Sequence, residues 1–185
     1  MVSHVFNPAI VAAFTFLTLL YAEGIASCPL VAICLTFGTL IPLGIIYLLS
    51  RRGLISDFFV SERKERAKPF AGAIVSYLVG SFVLMFARAP TIVTALMLCY
   101  AGNTLVMMLI THLWKISVHA SGVAGPATAL TVSLGAWASV FFALLVPVGW
   151  ARMKTGAHTP TQLLAGALVT IVTTWVQLRI YLAIL

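Results

Sequence analysis

Six apolar stretches, broken only by short segments of glycine, proline and charged residues, make up most of this chain. They cover residues 7–23, 28–50, 70–88, 91–113, 118–153 and 160–184. Each is at least as long as the roughly 17 residues that a transmembrane helix needs at minimum, and none alternates like a barrel strand. The sequence therefore predicts an all-α polytopic membrane helix bundle that forms a single domain over residues 1–185.

The scarcity of charged side chains excludes several classes of protein. Only 8% of the residues are charged, against about 25% in a soluble domain. Eleven Lys and Arg and four Asp and Glu are too few to cover a water-exposed surface. A soluble enzyme, a disordered chain and, despite the net charge of +7, a nucleic-acid-binding protein are excluded. The expected partner is membrane lipid, and the sequence does not identify a protein partner.

The 118–153 stretch decides the number of helices. As one helix it would extend about 54 Å, well beyond a hydrocarbon core of about 30 Å. It holds either a loop and one span over 127–150, which gives six transmembrane helices, or two short spans that meet at Gly135, which gives seven. We predict seven, with spans at 118–135 and 137–153, because the functional argument below needs the polar clusters flanking this stretch on one membrane face. Within the fourth stretch, Asn103 predicts a hydrogen bond between helices.

A basic cluster over residues 61–69 precedes the third stretch. Its cations are Arg63, Lys64, Arg66 and Lys68. A basic segment beside a membrane is more often a topology signal or a lipid-headgroup patch than a binding site. By the positive-inside rule, this segment predicts that its face of the cell membrane is cytoplasmic.

A second polar cluster, residues 115–122, lies between the fourth and fifth stretches. Lys115, Ser117 and His119 could bind and protonate a phosphate ester at the membrane boundary. The structural alternative is a lysine that extends toward water, a serine that caps a helix and an interfacial histidine.

A third polar cluster, residues 152–162, precedes the last stretch. A helix that begins near His158 would place Gln162 on the same face, four residues on. Gln162 could then accept the imidazole proton and leave the other ring nitrogen free as a nucleophile. The structural alternative is an ordinary interhelical loop that carries Arg152 and Lys154.

Together the three clusters suit phosphoryl transfer. Arginine and lysine stabilise the negative charge on the transferred group, while one histidine attacks and the other protonates the departing oxygen. Few carboxylates lie near the clusters, so the chain offers few of the oxygen ligands that would bind a magnesium ion. We therefore predict a reaction that needs no metal and no cofactor.

The order of these clusters resembles the membrane type 2 phosphatidic acid phosphatase superfamily, whose fold is shared with vanadium haloperoxidases. The third motif of that family is Arg-x5-His-x3-Asp, and Arg152 and His158 have its spacing, with Gln162 at the Asp position. This third motif is the most specific part of a resemblance that covers roughly residues 55–185. The motif sequences found here resemble those of a divergent prokaryotic branch of this superfamily.

The other two motifs match less closely. Residues 116–119 resemble the Pro-Ser-Gly-His motif, with Val118 in place of glycine, and Lys68-Pro69 stands where Arg-Pro would. Valine in place of glycine restricts the approach of the backbone to a phosphate. A neutral Gln162 can orient His158, but it cannot stabilise an imidazolium as a carboxylate would.

The resemblance implies a lipid phosphatase with a phosphohistidine intermediate. His158 would be the nucleophile, His119 the general acid and Gln162 the orienting residue. The expected phosphate-binding residues are Arg66, Lys68, Lys115, Ser117 and Arg152. Polyprenyl diphosphate, phosphatidate and phosphatidylglycerophosphate all remain possible substrates. The alternatives are a lipid-phosphate binding or transport protein that uses the same cationic pocket without turnover, and a vanadate-dependent oxidative enzyme on the same fold.

Overall fold

A computed structural model describes residues 7–58 and 60–185. This part of the chain contains seven helices and no strand, which confirms the all-α prediction. The helices are α1 (Pro8–Ala22), α2 (Cys28–Arg51), α3 (Ala67–Phe86), α4 (Thr91–Leu113), α5 (Val118–Leu134), α6 (Ala136–Lys154) and α7 (Pro160–Ile184).

Five of the helices, α2, α3, α4, α6 and α7, are long and apolar enough to cross a membrane. The other two are shorter, with 15 residues in α1 and 17 in α5. The architecture is therefore that of a membrane helix bundle, as the composition predicts.

The 118–153 stretch folds as two helices, as predicted. Gly135 ends α5 with φ of +95°, a backbone conformation that disfavours residues with a Cβ atom. Helix α6 then begins as a 3₁₀ segment over Ala136–Leu144 and continues as an α-helix over Leu145–Lys154. The break reverses the chain, so the polar clusters before α5 and after α6 lie at the same end of the bundle.

Helix α2 is continuous but carries a π-helical turn over Thr36–Leu40. Pro42 follows this turn and has no N–H to give to the carbonyl five residues earlier. The Ser76 hydroxyl of α3 donates to that carbonyl, Phe37 O, at 2.8 Å. Thr39 donates to Ala9 O of α1 at 3.2 Å. The irregular turn thus joins α2 to two neighbouring helices.

Asn103 ties α4 to α7 in the middle of the bundle, which confirms the predicted interhelical bond. Its Nδ2 donates to Thr174 Oγ1 at 2.7 Å, and its Oδ1 accepts from Thr173 Oγ1 at 2.7 Å. The amide of Gln177 donates to the same Oδ1 at 2.9 Å. This network fixes the alignment of α4 with α7, and with it the positions of their polar ends.

Candidate active site

The three polar clusters meet at one end of the bundle. Nη1 of Arg66 donates to Ile116 O at 2.9 Å, which joins the first cluster to the second. The backbone N–H of Ser117 donates to Gln162 O at 3.2 Å, which joins the second to the third. His119 lies within electrostatic range of Arg66, Arg152 and His158. The two histidines therefore belong to one site, as the seven-helix prediction requires.

Arg66 holds the first cluster against the start of α5. Its side chain is only 3% exposed, and Nε and Nη2 donate to Val60 O at 3.0 Å and Ser61 O at 3.3 Å. Val60 has a φ of 48°, which is rare for a β-branched residue. Burial, and then the charge of Arg152, lower the pKa of Arg66 to about 10, so it stays charged at neutral pH. Arg66 is thus a buried cation whose three described side-chain hydrogen bonds all go to backbone carbonyls.

Gly166 lets α7 approach the start of α5. A Cβ atom at Gly166 would lie 2.5 Å from the carbonyl oxygen of Ser117. The obstacle is backbone rather than a flexible side chain, so the two helices would have to separate. Since Ser117 and Gln162 are also hydrogen-bonded here, this contact sets the distance between the second and third clusters. The motifs did not reveal Gly166, because small residues are common throughout apolar helices.

We expect Gly166→Ala to lower the predicted phosphatase activity about 100-fold, the scale that a displacement of reacting groups by about 1 Å causes in enzymes. Overpacking should also cost about 1–3 kcal/mol of stability. Phosphate release and the thermal unfolding midpoint, measured in detergent, test this. Gly44→Ala is the matched control, because nothing lies within 4 Å of a Cβ atom at Gly44 and that residue is also inside a helix. Full activity in Gly166→Ala would show that this contact does not set the site geometry.

The start of α7 fixes the tautomer of His158. Thr159 is the N-cap of α7, and Gln162 completes a capping box by accepting the Thr159 N–H at 3.2 Å through Oε1. An N–H can only donate, so this bond identifies the amide oxygen. The same Oε1 lies 3.1 Å from Nδ1 of His158, which must therefore carry the ring proton. The lone pair of His158 is then on Nε2, as the sequence analysis expected, although the helix begins at Pro160 rather than at His158.

His158 sits in a positive and largely buried environment, with 6% of the residue exposed. Burial is the main cause that lowers its pKa from 6.5 to about 4. The charges of Arg66, Arg152 and Lys115 lower it further, whereas the bond to Gln162 opposes them. The ring is therefore neutral at neutral pH, and its Nε2 lone pair is available.

A pH titration followed by NMR of labelled histidine should show His158 neutral down to about pH 5, with a midpoint near 4. Because the charge of Arg152 lowers this pKa, Arg152→Gln should raise the midpoint. A midpoint close to that of an ordinary histidine, about 6.5, in the unmodified chain would contradict the buried cationic environment.

Arg152 is a buried cation with unused hydrogen-bonding capacity. Its side chain is 4% exposed, and within the described residues its Nε has no hydrogen-bond partner. A buried donor without a partner is costly. An anion bound beside Arg152 would satisfy this donor. The backbone carbonyl of Arg152, in contrast, accepts from His158 N at 3.3 Å and so fixes the loop between α6 and α7.

The other residues predicted to bind phosphate differ in their burial and in their distance from His158. Lys115 is half-buried and close enough for its charge to lower the pKa of His158. Ser117 is fully buried, and its hydroxyl oxygen caps α5 by accepting from Ala120 N at 3.3 Å. This is the structural role that the sequence analysis left open. Lys68 is exposed on the first turn of α3, two residues beyond Arg66 at the N-cap, so the two side chains point in different directions.

An elongated cavity of about 170 Å³ continues from this site into the bundle. Arg66 and His119 line it where α3 and α5 begin, and Tyr77 and Leu96 line it deeper. Along α3 it extends from Arg66 to Tyr77, a rise of about 16 Å. Most of its walls are apolar side chains. Among the residues of the site, the cavity thus has Arg66 and His119 in its wall, whereas its lining includes neither Arg152 nor His158.

No family model, no curated protein and no solved structure matches this chain.

Proposed function

We propose that this chain is a membrane phosphatase that hydrolyses a lipid phosphate or diphosphate through a phosphohistidine intermediate. The observation that carries the proposal is the environment of His158. A neutral imidazole with its proton held on Nδ1 lies among Arg66, Arg152 and Lys115. A nucleophile surrounded by buried cations suits an attack on a phosphoryl group, which carries negative charge that the cations stabilise.

In the proposed first step, Nε2 of His158 attacks phosphorus, and the bond from phosphorus to the lipid oxygen breaks. His119, protonated once the phosphate is bound, gives its proton to that oxygen, because the negative charge of the phosphate offsets the neighbouring cations and favours the protonated form. Arg152 donates to the phosphate oxygens through the Nε that has no partner within the described residues. Arg66 and Lys115 add positive charge from the other clusters.

In the proposed second step, water attacks the phosphohistidine and the N–P bond breaks. His119, now neutral, takes the proton of the attacking water and returns it to the inorganic phosphate as that product leaves. Gln162 keeps the proton of His158 on Nδ1 throughout, because its amide oxygen accepts from both the ring and Thr159 N. No step requires a metal or a cofactor.

The apolar cavity supports a lipid substrate. A phosphate bound at His158 and Arg152, with Arg66 and His119 beside it, would leave the lipid tail to follow the cavity that Arg66 and His119 line. We further propose that all seven helices cross the membrane, and that the excess of Arg and Lys places the site on the cytoplasmic face. Polyprenyl diphosphate, phosphatidate and phosphatidylglycerophosphate are all candidates.

Phosphate release by the purified chain in detergent, with each lipid phosphate in turn, tests the proposed function. We expect turnover with at least one of them and inhibition by vanadate, which mimics five-coordinate phosphorus. Tight binding of lipid phosphate with no release of inorganic phosphate would contradict the phosphatase and favour the binding or transport alternative.

A further inference from the structure

A second cationic cleft lies beside the candidate active site. It has a volume of about 350 Å³ and is formed by the basic turn before α3, the first residues of α3 and the last turns of α4. Its polar lining is Arg63, Lys64, Thr111 and His112. No acidic residue in the described part of the chain lines it. Phe70 contributes to the walls of both this cleft and the cavity of the active site, so it separates them.

Arg63 is anchored at the edge of this cleft. Its Nη1 donates to the carbonyl oxygen of His112, near the C-terminal end of α4, at 3.2 Å. This single bond fixes the guanidinium at the end of α4 and leaves other N–H groups of the fork for a ligand. Lys64 is exposed next to it. The cleft therefore presents one cation oriented by a hydrogen bond and one exposed cation.

The hydroxyl of Thr111 is the feature that points to a ligand. Thr111 is only 5% exposed, and within the described residues its Oγ1 has no hydrogen-bond partner. Two other buried threonines, Thr15 and Thr128, donate to the carbonyl four residues earlier, at 2.7 Å to Val11 O and 2.8 Å to Ala124 O. Thr111 instead lines the cleft with its donor unused. A buried donor beside two cations is suited to an oxygen of an anion.

We propose that this cleft binds the phosphate group of an anionic membrane lipid, at a site separate from the candidate active site. The cleft lies at helix ends, where lipid headgroups lie, and the exposed Leu113 and Trp114 follow it directly. Tryptophan is enriched at membrane interfaces. Phe70 and Met108 provide the apolar walls that the glycerol and upper acyl chain of a lipid would contact. The inference does not depend on the proposed phosphatase activity.

Native mass spectrometry of the delipidated chain, titrated with phosphatidylglycerol, tests this site. Phosphatidylglycerol is a phosphodiester and not a monoester substrate, and phosphatidylcholine and inorganic phosphate are the comparison probes. We expect one phosphatidylglycerol to bind more tightly than phosphatidylcholine. Arg63→Gln and Thr111→Val should each weaken this binding about tenfold, the scale of one hydrogen bond to a charged group. Thr111→Val keeps the shape of the side chain and should not lower the unfolding midpoint.

Matched controls separate this site from diffuse charge and from the active site. Arg51→Gln removes one exposed cation at the end of α2, and Arg152→Gln alters the active site, so neither should change the affinity for phosphatidylglycerol. An equal loss in Arg51→Gln, or an unchanged affinity in Thr111→Val, would overturn the proposal. Displacement of phosphatidylglycerol by inorganic phosphate of equal affinity would support the anion site and identify free phosphate as its ligand.

Discussion

Replacing His158 with alanine should abolish phosphate release, with a loss on the order of 10⁴-fold or more, because the substitution removes the nucleophile. The fold should survive. The amide of Gln162 still accepts from Thr159 N, so the capping box that starts α7 remains. Phosphate release from lipid phosphate, with thermal unfolding measured on the same samples, checks both statements.

His112→Ala is the matched control for His158→Ala, since His112 is an exposed histidine at the end of α4 and outside the active site. We expect it to retain activity. Phosphate release in His158→Ala within tenfold of the unmodified chain would remove His158 as the nucleophile.

The two buried arginines should respond differently to substitution. Arg152→Gln should lower activity by about 10²–10³-fold, the scale of losing one preorganised donor to a developing charge. It should cost less stability than Arg66→Gln, because Nε of Arg152 has no hydrogen-bond partner within the described residues, although the charge of Asp57 acts on Arg152 as well. Arg66→Gln should lower activity and also cost about 2–4 kcal/mol of stability. The reason is that three backbone carbonyls, those of Val60, Ser61 and Ile116, lose their donor.

Activity assays combined with thermal unfolding of both variants test this contrast. The expected result is an Arg152→Gln protein that unfolds near the temperature of the unmodified chain, and an Arg66→Gln protein that unfolds well below it. Equal destabilisation by the two substitutions would mean that Arg152 is also a structural residue, and would weaken its assignment to phosphate binding.

The sequence predicts the fold well because its signals are local. Long apolar stretches and the scarcity of charge predict membrane helices. The division of 118–153 into two helices is predicted instead from the need to bring its flanking clusters to one face, and the break falls at Gly135. An asparagine inside an apolar helix predicts an interhelical bond, and Asn103 makes it. In each case the apolar surroundings leave the residues few acceptable backbone conformations or hydrogen-bond partners.

The details of the site depend on contacts between distant segments, which the motifs do not specify. The close approach at Gly166 and the bonds from Arg66 to backbone carbonyls follow from how α3, α5 and α7 pack. The spacing alone could not separate Arg66, which is buried, from Lys68, which is exposed. The capping box of Thr159 and Gln162 was not predicted, although a threonine with glutamine three residues later is its sequence signature.

Trapping of the phosphorylated enzyme tests the central claim most directly. The purified chain would be mixed with a lipid phosphate labelled with ³²P, quenched within milliseconds in base, and digested for peptide mapping. The account predicts an acid-labile, base-stable label on the peptide that contains His158, and no label in His158→Ala. Steady phosphate release with no label on His158, or a label on any other residue, would contradict it.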